Sequence, residues 1–281
     1  MEADADTLER GKHLRPSAEY RGAPSVATWR NPTAWLYVAF LVTMAASLSY
    51  LWGAVPAWAA SALGVLARYV GFTVMHESSH RVAHRDRRVN EILGWAPAIA
   101  LTMTLPMFRS VHTKHHSYTN QPEIDPDIDV ARAPRGLRPL WLLSPAVTYR
   151  VRYYGRNWAK TPFQRWSQVV LDVLSLALII AAIGTGHTTE LLVLFVVPLV
   201  LSFAWLAFAF DLLPHVPYDS TERFHDTRAL PSRWLNIVFL GQNYHLVQHL
   251  WNTVPWYRYQ AVYAETRDDL AELGARVDWG D

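Results

Sequence analysis

The chain contains no cysteine, which excludes disulfides and any thiolate-bound iron–sulfur cluster of its own. Electrons for redox chemistry would therefore have to come from a separate protein. Charge is scarce too, at 18% of 281 residues against 51% hydrophobic. It nearly vanishes from four blocks, about 34–52, 55–75, 166–184 and 191–213, whose charged members are Arg68, Asp172 and Asp211. The polar lead-in, residues 1–33, has no early apolar stretch, so no cleavable signal peptide is expected. Lysine and arginine are missing from 53–56 and 184–190, the short loops inside each pair of blocks. Apart from those two hairpins, no internal repeat is visible.

A bilayer core of about 30 Å takes on the order of 20 apolar residues as a helix. Each block meets that length, so the expected fold is an all-α integral membrane protein. Four transmembrane helices form two hairpins, and residues 34–281 make one domain. A fifth apolar piece, 96–108, is too short to span and holds Pro97 and Pro106; it reads as a re-entrant or interfacial segment. Residues 234–240 also read as interfacial. Basic residues crowd the stretch from Arg81 to Arg165, between the second and third spans. The positive-inside rule then puts both termini in the cytoplasm, of a bacterial inner membrane in this reading. Topology accounts for that charge, which leaves no support for a nucleic-acid partner.

Histidine is ordinary in number, 12 residues, but not in placement. Three clusters follow apolar stretches: His76 and His80; His112, His115 and His116; His245 and His249. A single histidine, His215, lies four residues after Asp211. On a helix, positions i, i+3 and i+4 share a face, so each cluster can aim several imidazoles at one point. An even number of spans brings all of them to one side, as a cytoplasmic cap. Imidazole suits iron, zinc and copper, and so many converging rings suggest a site for more than one metal. His13, His187 and His225 lack ligand spacing and read as ordinary interfacial side chains. The helix leaving span two is expected to run on through His84 towards Asn90, which puts His84 one turn beyond His80 as a further candidate. Glu77, Asp125 and Asp127 can accept the distal N–H of a ligating ring, although the two aspartates serve equally well to cap a helix or shape a turn. Gln242 and Asn243 are placed to order the third cluster.

The motifs resemble the histidine boxes of the membrane fatty acid desaturase and hydroxylase superfamily. The resembling runs are HESSHRVAH from His76, HTKHHSYTNQPEIDPD from His112, DLLPHVPY from Asp211 and GQNYHLVQHLWNTVPWYRYQ from Gly241. The last run is most similar to desaturase-type β-carotene 3-hydroxylases. The resemblance implies an O2-dependent, non-haem di-iron oxidoreductase, with zinc as a substitute in purified material. His76, His80, His112, His115, His116, His215, His245 and His249 would hold the two irons, and Asp211 would approach one through water. It also implies a lipid substrate and an external electron donor such as ferredoxin. One departure stands out: the third box of the family is H-x-x-H-H, and here Gln248 occupies a histidine position. Either the site is asymmetric or another group, such as His84, compensates.

The leading expectation is hydroxylation of a carotenoid ring of the β-carotene type. The alternative is a fatty-acyl lipid desaturase or hydroxylase on the same scaffold. A metal transporter is disfavoured, because such proteins place polar ligands near mid-bilayer and these clusters follow the spans.

Overall fold

The computed structural model describes residues 11, 13–23, 28–132 and 134–279. Helix α1 (Pro32–Leu48) starts where the Asn31 side chain accepts the N–H of Thr33, with Pro32 in the first turn. It runs through a 3-10 turn to Trp52 and stops at Gly53. Helix α2 (Ala57–Ser79) returns antiparallel to it. The Ser47 hydroxyl donates to the Ala60 carbonyl at 2.8 Å, and a Cβ on Gly71 would lie 2.8 Å from the Phe40 ring. Close packing of this kind is how membrane helices associate, since lipid removes the hydrophobic drive between them.

The exit helix does not run on to Asn90. It ends at Ser79, Arg81 adopts φ 64°, and α3 (Arg87–Ala100) begins afresh. The reason is Asp86, whose carboxylate accepts from the N–H groups of Arg88 and Val89 as an N-cap. Helix α4 (Leu105–Ser117) follows with a bend of 91° from α3, started by Thr104 and Pro106. This bend falls in the segment expected to be re-entrant or interfacial. Its non-helical backbone is buried and is satisfied by the third span: Gln168 accepts from the Thr104 N–H at 2.7 Å and donates to the Thr102 carbonyl at 3.2 Å. Such irregular backbone is tolerated at membrane depth only when protein supplies its partners.

After α5 (Pro145–Gly155) come the other two spans, α6 (Pro162–Gly184) and α7 (Thr188–Leu212). The outer face of α6 carries Val170, Val173, Leu174, Leu176, Leu178 and Ile180, all more than half exposed. An apolar surface of that extent belongs in lipid. The charges within the spans are tied into the packing. Arg68 donates to the carbonyls of Gly64, Ala100 and Leu194, and Asp172 meets Arg150 at 2.9 Å and the Tyr154 hydroxyl at 2.7 Å. Helix α7 contains two π-helical turns, Leu192–Val196 and Ala207–Leu212, the second ending beside Asp211.

The chain then builds a cap. Helix α8 (Arg233–Val238) presents Trp234 and Ile237 outward, as an interfacial segment does. Helices α9 (His245–Leu250) and α10 (Tyr259–Glu272) share a core of Tyr244, Leu246, Val247, Val262 and Leu270. The described residues are thus mostly helical and form no strand, with four helices fit to cross a membrane, two hairpins and a cap. The all-α expectation holds, and the observed spans lie within a few residues of the expected ones.

Candidate metal centre

Two groups of imidazoles converge where α2, α4, α9 and the end of α7 meet. The first contains His76, His80, His112 and His116; the second contains His115, His215, His245 and His249. Their origin is simple helix geometry. His112 and His116 are one turn apart on α4 and enter the first group, whereas His115 points to the other side. His245 and His249 are one turn apart on α9 and enter the second. His76 sits in the last turn of α2 and His80 caps it.

Separations between ring nitrogens show what the groups can hold. Nε2 of His80 lies 2.8 Å from Nε2 of His112, and His112 lies 3.1 Å from His116. In the second group His245 and His249 approach to 3.1 Å, and His115 and His249 to 3.2 Å. With metal–nitrogen bonds of about 2.1 Å, ligand nitrogens stand about 3.0 Å apart at right angles and about 3.4 Å at the tetrahedral angle. The observed separations straddle the lower end of that interval. Both ring nitrogens of His215 are buried without a hydrogen-bond partner, although its ring lies 4.8–5.1 Å from those of His115, His245 and His249. Lone pairs converging at these distances call for a cation between them, so the residues fit a two-metal site.

Electrostatics agrees. Burial holds His80, His112, His116, His215, His245 and His249 well below the ordinary imidazole value, which keeps them neutral and ready to ligate. His115 goes the other way. Burial pulls it down, but Asp127 and Asp125 outweigh that and raise it to about 10. Its Nδ1 lies 2.9 Å from Asp125 and 3.1 Å from Asp127. The two carboxylates hold a proton on Nδ1; without metal the ring is a cation that carries Nε2–H as well, and it is that second proton a metal would displace. Asp125 also accepts the N–H groups of Asn120 and Asp127, so it shapes the turn as well as orienting the ring.

The remaining candidates divide. Gln248 is fully buried and joins the first group, its amide 2.9 Å from both His80 and His116. Asp211 is buried one turn before His215. Glu77 Oε1 stands 3.4 Å from His76 Nδ1, while Oε2 accepts the Trp256 N–H at 3.0 Å. Gln242 faces His245 Nδ1 at 3.4 Å. Asn243 ties the cap together by donating to the Leu230 carbonyl at 2.9 Å and belongs to neither group. His84 also lies outside both; with the helix broken at His80, its Nδ1 accepts the Asp86 N–H at 2.9 Å. Two neighbours were not anticipated. Thr119 meets His249 Nδ1 at 3.4 Å, and it sits one turn after His115, a spacing that could have flagged it. The Tyr149 hydroxyl donates to Asp127 at 2.6 Å from a different helix, and nothing local in the sequence marks it.

On the bilayer side, the ring of Phe72 stacks on His76 and that of Phe108 on His112, and Phe210 packs against Phe72 at 4.7 Å. Three aromatic rings thus form an apolar wall along one side of the first group. Helices of membrane length with two such groups at their ends define a helical membrane protein whose imidazoles are grouped as metal ligands are. The chain belongs to the fatty acid desaturase family, whose model matches residues 52–280. It is 24% identical over 244 residues to the sn-1 oleoyl-lipid 12-desaturase of Arthrospira platensis, covering 74% of this chain and 68% of that one. It is also 22% identical over 240 residues to the dihydrorhizobitoxine desaturase of Bradyrhizobium elkanii, covering 74% and 67%. The chain therefore spans about two thirds of the length of these curated relatives.

Proposed function

We propose that this protein is an O2-dependent oxidoreductase acting on a membrane lipid, and that its reaction is desaturation of an acyl chain. The observation that carries the reading is the pair of imidazole groups facing an apolar wall at the end of the spans. Two irons, held by the eight histidines, would supply the oxidising power needed to break an unactivated C–H bond. Among the relatives, the oleoyl-lipid desaturases weight the acyl-lipid alternative above carotenoid hydroxylation, which ranked first on the motifs alone.

The chain's own residues would do the following. Phe72, Phe108 and Phe210 exclude water from the imidazoles of the first group. Asp125 and Asp127 hold the His115 proton on Nδ1, so that ring keeps one tautomer throughout. Gln242 would orient His245 in the same way, and Glu77 stands beside His76 Nδ1 at 3.4 Å. In desaturation a –CH2–CH2– unit loses two hydrogens to become –CH=CH–. O2, two electrons and two further protons complete the formation of two waters. The electrons come from an external donor such as ferredoxin, because without cysteine the chain has no thiolate-held cluster. In this reading the cap faces the cytoplasm of a bacterial inner membrane, where such a donor is at hand.

Carotenoid-ring hydroxylation is kept as a second reading on the strength of the run from Gly241 to Gln260. There, one oxygen atom enters the C–H bond and the other leaves as water. The two are separated by supplying the reconstituted protein with a reductant and O2, and with either a monounsaturated acyl lipid or β-carotene. The proposal expects a product lighter by two hydrogens from the acyl lipid alone. An oxygen-bearing product from β-carotene alone would replace it with the second reading.

A further inference from the structure

Gln248 interrupts the third histidine box, yet its side chain is not idle. We propose that Gln248, through Oε1, is the fifth donor of the first group, and that the two metals are consequently unlike. One is held by neutral imidazole and amide groups and exchanges readily; the other, ringed by carboxylates, is held tightly. This rests on the two-metal reading above and deepens it.

The register of the two ligand-bearing helices makes the first argument. On α4, the residues at i and i+4, His112 and His116, serve one group, while His115 at i+3 crosses to the other. On α9, His245 and His249 occupy i and i+4 in the second group, and Gln248 at i+3 crosses to the first. Gln248 therefore holds the position that His115 holds in the matching helix, with the direction of crossing reversed.

Geometry makes the second. The amide nitrogen lies 2.9 Å from Nε2 of His80, 2.9 Å from His116 and 3.3 Å from His76. The carbonyl oxygen of the same amide is buried with no hydrogen-bond partner. Facing bare imidazole lone pairs, the N–H end of the amide is the favourable one. Facing a cation, the oxygen is the only end with a lone pair to give, because the amide nitrogen offers donors alone. A half turn about the last side-chain torsion exchanges them without moving the backbone.

Charge makes the third. His115 brings Asp125 and Asp127 against the second group, within 2.9 and 3.1 Å of its Nδ1, and Asp211 precedes His215 by one turn. The first group has Glu77 near His76, and Arg109 opposes positive charge at His80. Buried carboxylates attract a cation strongly in this low-dielectric setting. An amide oxygen beside imidazoles is the weaker kind of donor for iron.

The test uses the full chain in detergent, stripped of metal and titrated anaerobically with isotopically enriched ferrous ion. Iron per chain and the Mössbauer spectrum are read at each addition. Wild-type protein is expected to fill in two steps, with two distinct quadrupole doublets. Q248A, or Q248L if the smaller side chain unfolds the cap, should keep the first step and weaken the second at least about tenfold. Q248H should restore the second step, and H215A should instead lose the first. Uptake of both irons by Q248A and Q248L with wild-type affinity and spectra would overturn the proposal while leaving the two-metal reading intact. Wild-type protein that saturates at a single iron would overturn both.

Discussion

The site is decided by which side of a ring keeps its proton. Asp125, Asp127 and Tyr149 fix the tautomer of His115 through contacts of 2.9, 3.1 and 2.6 Å. Replacing such an orienting partner typically costs 10–100-fold in metal affinity. D125N should therefore lower the affinity of the second group by about that factor, measured by competition with a chelator, while the protein still folds. The metal-free protein carries a pH signature as well. Six rings outside the spans are held below their ordinary value near 6.5. Below about pH 6.5 the unfolded chain binds protons that these buried rings refuse, so stability falls as pH falls. His115, raised to about 10, opposes this: it adds stability below its ordinary value that is lost as pH rises towards about 10. Six outweigh one. The melting temperature of metal-free protein in detergent should drop between about pH 7 and pH 5, and loading with iron should raise it at pH 7 while making the drop steeper, because bound rings cannot take up protons. The histidines were legible because ligand spacing is a local property of a helix. Tyr149 was not, because it meets Asp127 only through tertiary packing.

At the scale of elements, hydropathy located the spans and prolines marked the bend, since both signals act within a single segment. The break after His80 was missed because the spacing of His76, His80 and His84 suits a continuing helix, whereas Asp86 wins the next backbone N–H groups as a cap. The cost of that miss fell on His84, which the break carries away from the imidazoles. Two elements can be probed directly. Gly241 leads into the third box with φ 84°, and a Cβ there would meet the Trp256 carbonyl at 2.6 Å. G241A should destabilise the protein by roughly 1–3 kcal/mol from backbone strain alone, with a lower melting temperature and reduced iron content. Unchanged iron at wild-type stability would show that this turn does not set the third box. Gln168 holds the tip of the bend to α6. Q168L should leave the buried Thr104 N–H without a partner, at about 1–3 kcal/mol, while the Thr102 carbonyl keeps Arg150; the loss is read by thermal unfolding in the same detergent.

For the molecule as a whole, the metals would act as rivets. The imidazoles come from α2, α4, α9 and the chain after α7, so the proposed metals join membrane helices to a cap that has its own apolar core. Without them, Glu77 still accepts the Trp256 N–H and the Trp256 indole donates to Thr33 at 3.2 Å, both at the edge of α1 and α2. Around the second group, by contrast, side chains would lose their shared partner, and the rings of His215, His245 and His249 would face a charged His115. A ligand present at about 100 times its dissociation constant stabilises the folded state by about 2.7 kcal/mol per site. Chelation should then loosen the cap before it disturbs the spans. The measurement is hydrogen exchange with and without chelator: residues 211–250 and 112–127 should lose protection by about 100-fold for that energy, while α1 and the first half of α2 stay as they were. Equal loss in both regions would mean that the cap and the spans unfold as one unit and that the metals do not act locally. No change in either would mean that protein–protein contacts alone hold the imidazoles in register, in which case the metals add chemistry to a scaffold that is already rigid.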